Sequence, residues 1–192
     1  MAESDINFKG LHHMALVCRD MERTVAFYTK VLGMTLKKGF DLGNGYGQHF
    51  FFDMGGGSEL GFFWFRDAPE AQPGIASPGN LVGSGEGTIS SAHGSMNHVA
   101  FKVAAEKIDE YRALLIAKGV DVTPVVNHDD VVTGKDARKA STQTDKTWLQ
   151  SCYFFDPDGI MLELCADLQP GSPSVDLPVN ADGVKANGQT LA

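Results

Sequence analysis

The chain has 192 residues, 43% of them hydrophobic and 21% charged, which suits one compact domain and excludes intrinsic disorder. With 16 basic residues against 24 acidic ones, a formal charge of -8 excludes a nucleic-acid backbone or an anionic membrane surface as the main partner, and no apolar run is long enough to span a bilayer. Three scattered cysteines without CxxC spacing argue against a disulfide frame, and residues 1–9, with Glu3 and Asp5, lack the basic start and apolar stretch of a secretory signal. A cytoplasmic protein that handles a small molecule is expected.

Residues 1–9 read as an N-terminal extension, and residues 10–66 as a first structural module. A strand-like run through His13, Met14, Ala15, Leu16 and Val17 leads to Asp20, a candidate helix N-cap. Met21, Val25, Tyr28 and Leu32 then fall on one helical face, and Gly33 closes it. Strands are predicted over 35–41, 49–53 and 59–65, with glycine-rich turns between them. Residues 67–94 carry Pro69, Pro73 and Pro78 and form a connector.

The second module, residues 95–167, opens on Asn97-His98-Val99-Ala100-Phe101. A helix with Ala104, Ile108, Tyr111 and Leu115 on its apolar stripe follows, ended by Gly119. Strands are predicted over 120–127, 148–155 and 160–165, the last two joined by Asp156-Pro157-Asp158-Gly159. The polar loop over 128–146 reads either as a lid or as a solvated excursion, and residues 168–192 as a tail.

The two modules repeat one pattern. From His13 to Gly33 is 20 residues and from His98 to Gly119 is 21, and each half reads strand-helix-strand-strand-strand. The predicted fold is α+β: two paired βαβββ modules forming a cup-shaped, barrel-like mixed sheet with helices outside. Alternation along a strand sorts the faces. Met14, Leu16 and Cys18 belong under the helix, which turns His13 and Ala15 to the cup; Val99, Phe101 and Val103 do the same, which turns His98 there. Glu163, between Leu162 and Leu164, also faces the cup. A single strand histidine is ordinarily a hydrogen-bonded core residue. Two in equivalent places, with a carboxylate, suit a divalent metal, and a two-histidine, one-carboxylate set with open positions suits non-haem Fe(II).

The stretches His13-Met14-Ala15-Leu16-Val17-Cys18-Arg19-Asp20, Ala26-Phe27-Tyr28, Val31-Leu32-Gly33, His98-Val99-Ala100-Phe101 and Tyr153 through Glu163 resemble the vicinal oxygen chelate superfamily, which includes glyoxalase, bleomycin-resistance and extradiol dioxygenase proteins. The resemblance implies one metal site in the cup, with ligands on the first and last strand of each module. His13, His98 and Glu163 carry over. The fourth position falls on the strand over 59–65, where Glu59 precedes Leu60 as Glu163 precedes Leu164; a turn one residue longer would put Gly61 there and leave three protein ligands.

A His-His-Glu site implies an Fe(II) ring-cleaving, extradiol-type dioxygenase acting on a catechol-like aromatic, with Tyr153 hydrogen-bonded to bound substrate or oxygen. Part of that family's signature is missing, since no histidine lies a few residues before Tyr153 and position 152 is Cys. A four-ligand site using Glu59 implies a glyoxalase-like lyase or an isomerase, with nickel, cobalt, zinc or manganese in the metal's place. A third reading is a protein that sequesters a small molecule such as an antibiotic. His128, followed by Asp129 and Asp130, is a candidate general acid or base, or else an exposed loop histidine. His49, on the third strand, is open to a pocket contact that nothing in the sequence indicates. Phe63 and Phe65 share the parity of Glu59 and line either a pocket for a flat apolar substrate or a core or dimer contact. A homodimer is expected.

Overall fold

A computed structural model describes residues 10–70, 94–129, 139–140, 142–169 and 184. Its strands are β1 (His13–Val17), β2 (Leu36–Asp41), β3 (Gly47–Gly55), β4 (Ser58–Phe65), β5 (Val99–Lys102), β6 (Val126–Asp129), β7 (Lys139–Ala140), β8 (Thr147–Phe155) and β9 (Met161–Asp167). Helix α1 (Met21–Ala26) follows β1 and α2 (Ile108–Ala117) follows β5. One sheet runs β1-β4-β3-β2 and the other β5-β9-β8-β6-β7. In each, the first strand lies parallel to the last, which a helical crossover permits, while the other described pairings are antiparallel. These are the two βαβββ modules expected.

Local chemistry explains the elements. Asp20 caps α1 by accepting from the Arg23 N–H at 3.0 Å. The helix does not end there but widens into a π turn over Phe27–Val31, and Gly33, at φ +76°, then reverses the chain. In α2 the apolar stripe differs from the one predicted. Ile108 and Leu115 are buried but Tyr111 is exposed, and Arg112 takes its place, donating from Nε to the Thr123 carbonyl at 2.6 Å. Of the strand predicted over 120–127 only Val126 and Asn127 fall in β6, which runs on to Asp129, while Val122 makes an isolated bridge to Phe154. The end of β6 and the short β7 occupy part of the stretch expected as the 128–146 loop. The N-terminal extension, part of the connector, part of the 128–146 loop, and the tail apart from residues 168, 169 and 184 lie outside the described residues.

One hydrophobic core serves both modules. Cys18, Met21, Tyr28, Phe52, Leu60 and Phe62 from the first join Val99, Ile108, Leu115, Phe154, Leu162 and Leu164 from the second. Polar contacts tie the halves together along this core. The Tyr28 hydroxyl donates to Asp156 Oδ2 at 3.2 Å, the Arg19 N–H to Asp158 Oδ2 at 3.0 Å, and Lys118 Nζ to the Val31 carbonyl at 2.6 Å. Asp156 also accepts at Oδ1 from the Asp158 and Ile160 N–H groups, at 2.9 and 2.8 Å. Burial nevertheless pushes its carboxyl up to about 6.

The helix-side faces of the two sheets therefore share one core, and the opposite faces stay open. On β1 the residues His13, Ala15 and Val17 are exposed, and on β5 so are Ala100 and Lys102. The described strands do not close into a barrel within one chain, because the helices and core occupy the side on which the modules meet. None of the described helices is long and apolar enough to cross a membrane.

Candidate metal centre

The open face of the second module carries a polar cluster. Glu163, in the middle of β9, is 3% exposed. Its Oε2 lies 2.8 Å from Nε2 of His98, the residue just before β5. His98 Nδ1 is 2.7 Å from Asn97 Oδ1, so Nδ1 donates there and the ring is held with Nε2 toward the carboxylate. Tyr153 stands directly across from Glu163 in the β8–β9 register, and both it and Ser151 hydrogen-bond the carboxylate. Burial alone would raise the Glu163 carboxyl, but the hydrogen bonds from His98, Ser151 and Tyr153 outweigh it and hold the group below its ordinary value. Burial and the Glu163 charge together push the Tyr153 phenol up to about 12. His128, on β6, reaches Ser151 Oγ through Nε2 at 3.2 Å and so joins the cluster's edge.

The first module's open face is built otherwise. His13 starts β1 and is exposed, its Nδ1 2.8 Å from Nδ1 of His12 and its ring edge-on to Phe51. Glu59 is its cross-strand partner, and its Oε1 is 3.0 Å from Lys37 Nζ. The register decides which first-module residue matches Glu163. Glu163 pairs with Ala100, two residues after His98, and Gly61 pairs with Ala15, two residues after His13. The hairpins agree: Tyr153 faces Glu163 as Phe51 faces Gly61. Gly61 thus occupies the place of Glu163, and Glu59 corresponds to Met161.

Around Gly61 the face is aromatic. His49 stacks on Phe63 with ring centroids 3.6 Å apart, Phe63 stacks on Phe65 at 5.2 Å, and Phe40 and Phe51 complete the wall. Phe63 and Phe65 therefore lie on the cup-side face at their expected parity. His98, Glu163 and Tyr153 are brought together, and His13 and Glu59 are brought together on the other sheet. Within one chain the two groups do not combine, and the described residues hold no set of three or more His, Cys, Asp or Glu side chains placed to share an ion. Sequence reasoning missed Ser151 and left His49 without a role; their parity, two residues from Tyr153 and Phe51, was the available signal.

A family model described as Glyoxalase/Bleomycin resistance protein/Dioxygenase superfamily matches residues 10–164, spanning both open faces and the core between them. The chain belongs to that superfamily. Among its similar proteins is the uncharacterized protein YwkD of Bacillus subtilis (strain 168), 28% identical over 156 residues, covering 81% of this chain and 95% of YwkD. The crystal structure of a glyoxalase family protein from Enterococcus faecalis is 26% identical, covers 82% of this chain and 98% of its own, and superposes with a TM-score of 0.56. The fosfomycin resistance protein FosX from Listeria monocytogenes, 22% identical over 84% of this chain and 95% of its own with a TM-score of 0.52, shares the superfamily fold. The superfamily contains metal-dependent enzymes, and a FosX structure holds Mn(II).

Proposed function

We propose that this protein is a divalent-metal-dependent enzyme, an extradiol-type dioxygenase acting on a catechol-like aromatic, with each site formed between two copies of the chain. The carrying observation is the glycine at position 61. It stands where a second carboxylate would, and so favours a set of His13, His98 and Glu163, which would leave positions on the metal open. The donors fit a metal. Glu163 is a buried carboxylate, and His98 is oriented by Asn97 so that Nε2 would exchange its proton for a cation. Fe(II) held by these residues would bring a catecholate and dioxygen together and relay electrons from the first to the second.

The chain's own residues do the rest. Glu163 and His98 would hold the cation from the second module of one copy, and His13 of the partner subunit would complete the set from its first module. The aromatic wall of Phe51, Phe63 and Phe65 stacks the substrate ring and keeps water from it. Tyr153, whose proton is firmly held and turned to Glu163 in the free site, would redirect it to an oxygen of the bound substrate. His128, half-buried and linked through Ser151 to Glu163, takes or returns a proton at the rim. A small molecule is the partner, and the homodimer is the working unit.

A second reading rests on Glu59. It stands beside His13 in the register and can carry a proton or serve as a fourth ligand, which suits a glyoxalase-like lyase or an isomerase.

Metal analysis under nitrogen with oxygen uptake on catechols tests the first reading: iron and uptake are expected, whereas nickel or zinc with hemithioacetal turnover would replace it with the second. Site sharing has its own test. His13→Ala and Glu163→Ala are inactive alone, but a randomly paired equal mixture of the two recovers about one site in four, because about half the dimers are mixed and each of those has one of its two sites free of both changes. Sites contained within single chains would restore none.

A further inference from the structure

Set into the aromatic wall of the first module is one imidazole. His49 is 5% exposed and packs against Phe63, Phe51 and Phe40, with centroids 3.6, 4.1 and 5.6 Å away. Its Nδ1 lies 3.0 Å from the Phe62 carbonyl. A carbonyl only accepts, so Nδ1 carries the proton and Nε2 presents a lone pair. No described residue hydrogen-bonds Nε2. A phenylalanine would fill the same stack without the desolvation that a buried imidazole suffers, so packing does not account for a histidine here.

Its position is informative. The carbon joining the two ring nitrogens, Cε1, lies 3.0 Å from where a Cβ on Gly61 would stand. In the two-module register His49 is the counterpart of Ser151, and Gly61 of Glu163. Where the second module carries a serine-supported carboxylate, the first carries an imidazole acceptor over a glycine. His13 and His49 both pack against the Phe51 ring, which places this acceptor on the same face as the proposed metal ligand.

We infer that His49 is a specificity-determining residue whose Nε2 accepts a hydrogen bond from a hydroxyl of the planar aromatic substrate. This deepens, and rests on, the reading of the site as one for a hydroxylated aromatic. Phe63 and Phe51 fix the plane of the substrate ring, and the missing side chain at Gly61 is what lets the imidazole lie against this strand, since a Cβ there would stand 3.0 Å from Cε1. An analogue with a methoxy group there has no proton to donate and leaves the acceptor unpaired.

Zinc-loaded protein, which supports no oxygen chemistry, is titrated with 4-nitrocatechol and followed by absorbance. His49→Phe keeps its zinc and its near-UV circular dichroism but binds the probe at least about tenfold more weakly. His49→Gln, whose amide oxygen reaches the place of Nε2, restores affinity to within about threefold of the unmodified protein. Gly61→Ala, whose methyl pushes the imidazole aside, loses affinity as His49→Phe does, and it carries the test should the phenylalanine variant not fold. Affinity within about twofold of the unmodified protein in either His49→Phe or Gly61→Ala, with zinc content unchanged, overturns the role of His49 alone. Unmodified protein that takes up zinc but ignores 4-nitrocatechol overturns the aromatic-diol reading together with it.

Discussion

The two open faces share a strand order and a register yet present opposite chemistry. On the second, Glu163, His98, Tyr153 and Ser151 form a hydrogen-bonded cluster around a buried carboxylate. On the first, the matching positions hold Gly61, Phe51 and His49 inside a stack of rings, with His13 exposed beside it. A duplicated fold supplies two copies of every position. Here one copy keeps a polar set around a buried carboxylate, proposed to hold a cation, and the other is an aromatic surface, proposed to hold a ring. The asymmetry matters because a cation and a flat apolar ligand make contradictory demands on one surface: the first wants buried charge, the second wants none.

The largest expected effect lies at the polar face. Glu163→Ala lowers metal affinity by at least about 100-fold, measured by competition with a chelator, since it removes a ligand that itself organises His98. Full occupancy in that variant would break the proposed contrast between the faces.

The hairpin tips come next. Asp53 accepts from the Gly55 N–H in a partly exposed turn, whereas Asp156 makes the analogous bond while buried, with its carboxyl raised to about 6. A carboxyl raised on folding binds more protons in the native than in the unfolded state. Its contribution to stability is therefore full below the ordinary aspartate range and is lost as pH rises through about 6. Denaturant melts from pH 4 to 7 should show that decline, and Asp156→Asn should flatten it; an unchanged slope would remove Asp156 as its source.

Removing only the Tyr28 hydroxyl with phenylalanine takes one bond from the seam between modules and should cost about 1 kcal/mol in the same melts. The smallest effect is expected at Glu59, whose carboxylate pairs with half-exposed Lys37. Glu59→Ala should shift stability by about 1 kcal/mol or less and leave metal binding unchanged. A large loss of metal or activity there would favour the lyase reading and blur the difference between the faces.

Much of this was legible in the sequence because strand alternation is local. The parity of Met14, Leu16 and Cys18 against His13, and of Leu162 and Leu164 against Glu163, follows from backbone geometry whatever the strands pack against. The Asp20 cap and the Asp156-Pro157-Asp158-Gly159 turn were likewise readable, since both are satisfied within a few residues. What went astray depended on partners distant in the chain. Tyr111 fits a helical stripe by spacing, but the surface beneath α2 takes the stem of Arg112. Sequence left the fourth position open between Glu59 and Gly61, because residue type does not fix register; only the strand pairing shows that Gly61, not Glu59, stands where Glu163 does.

By itself the sequence determined the repeat, the helix and strand faces, and the residue types available to hold a cation, since each depends on short-range periodicity and the duplicated pattern. Tertiary structure alone decided that the modules meet through their helix-side core, which leaves His13 on one open face and His98 with Glu163 on the other. The physical reason is that burial belongs to pairs of surfaces. A strand specifies which of its faces is apolar, but which surface covers that face is settled only when the whole chain has packed.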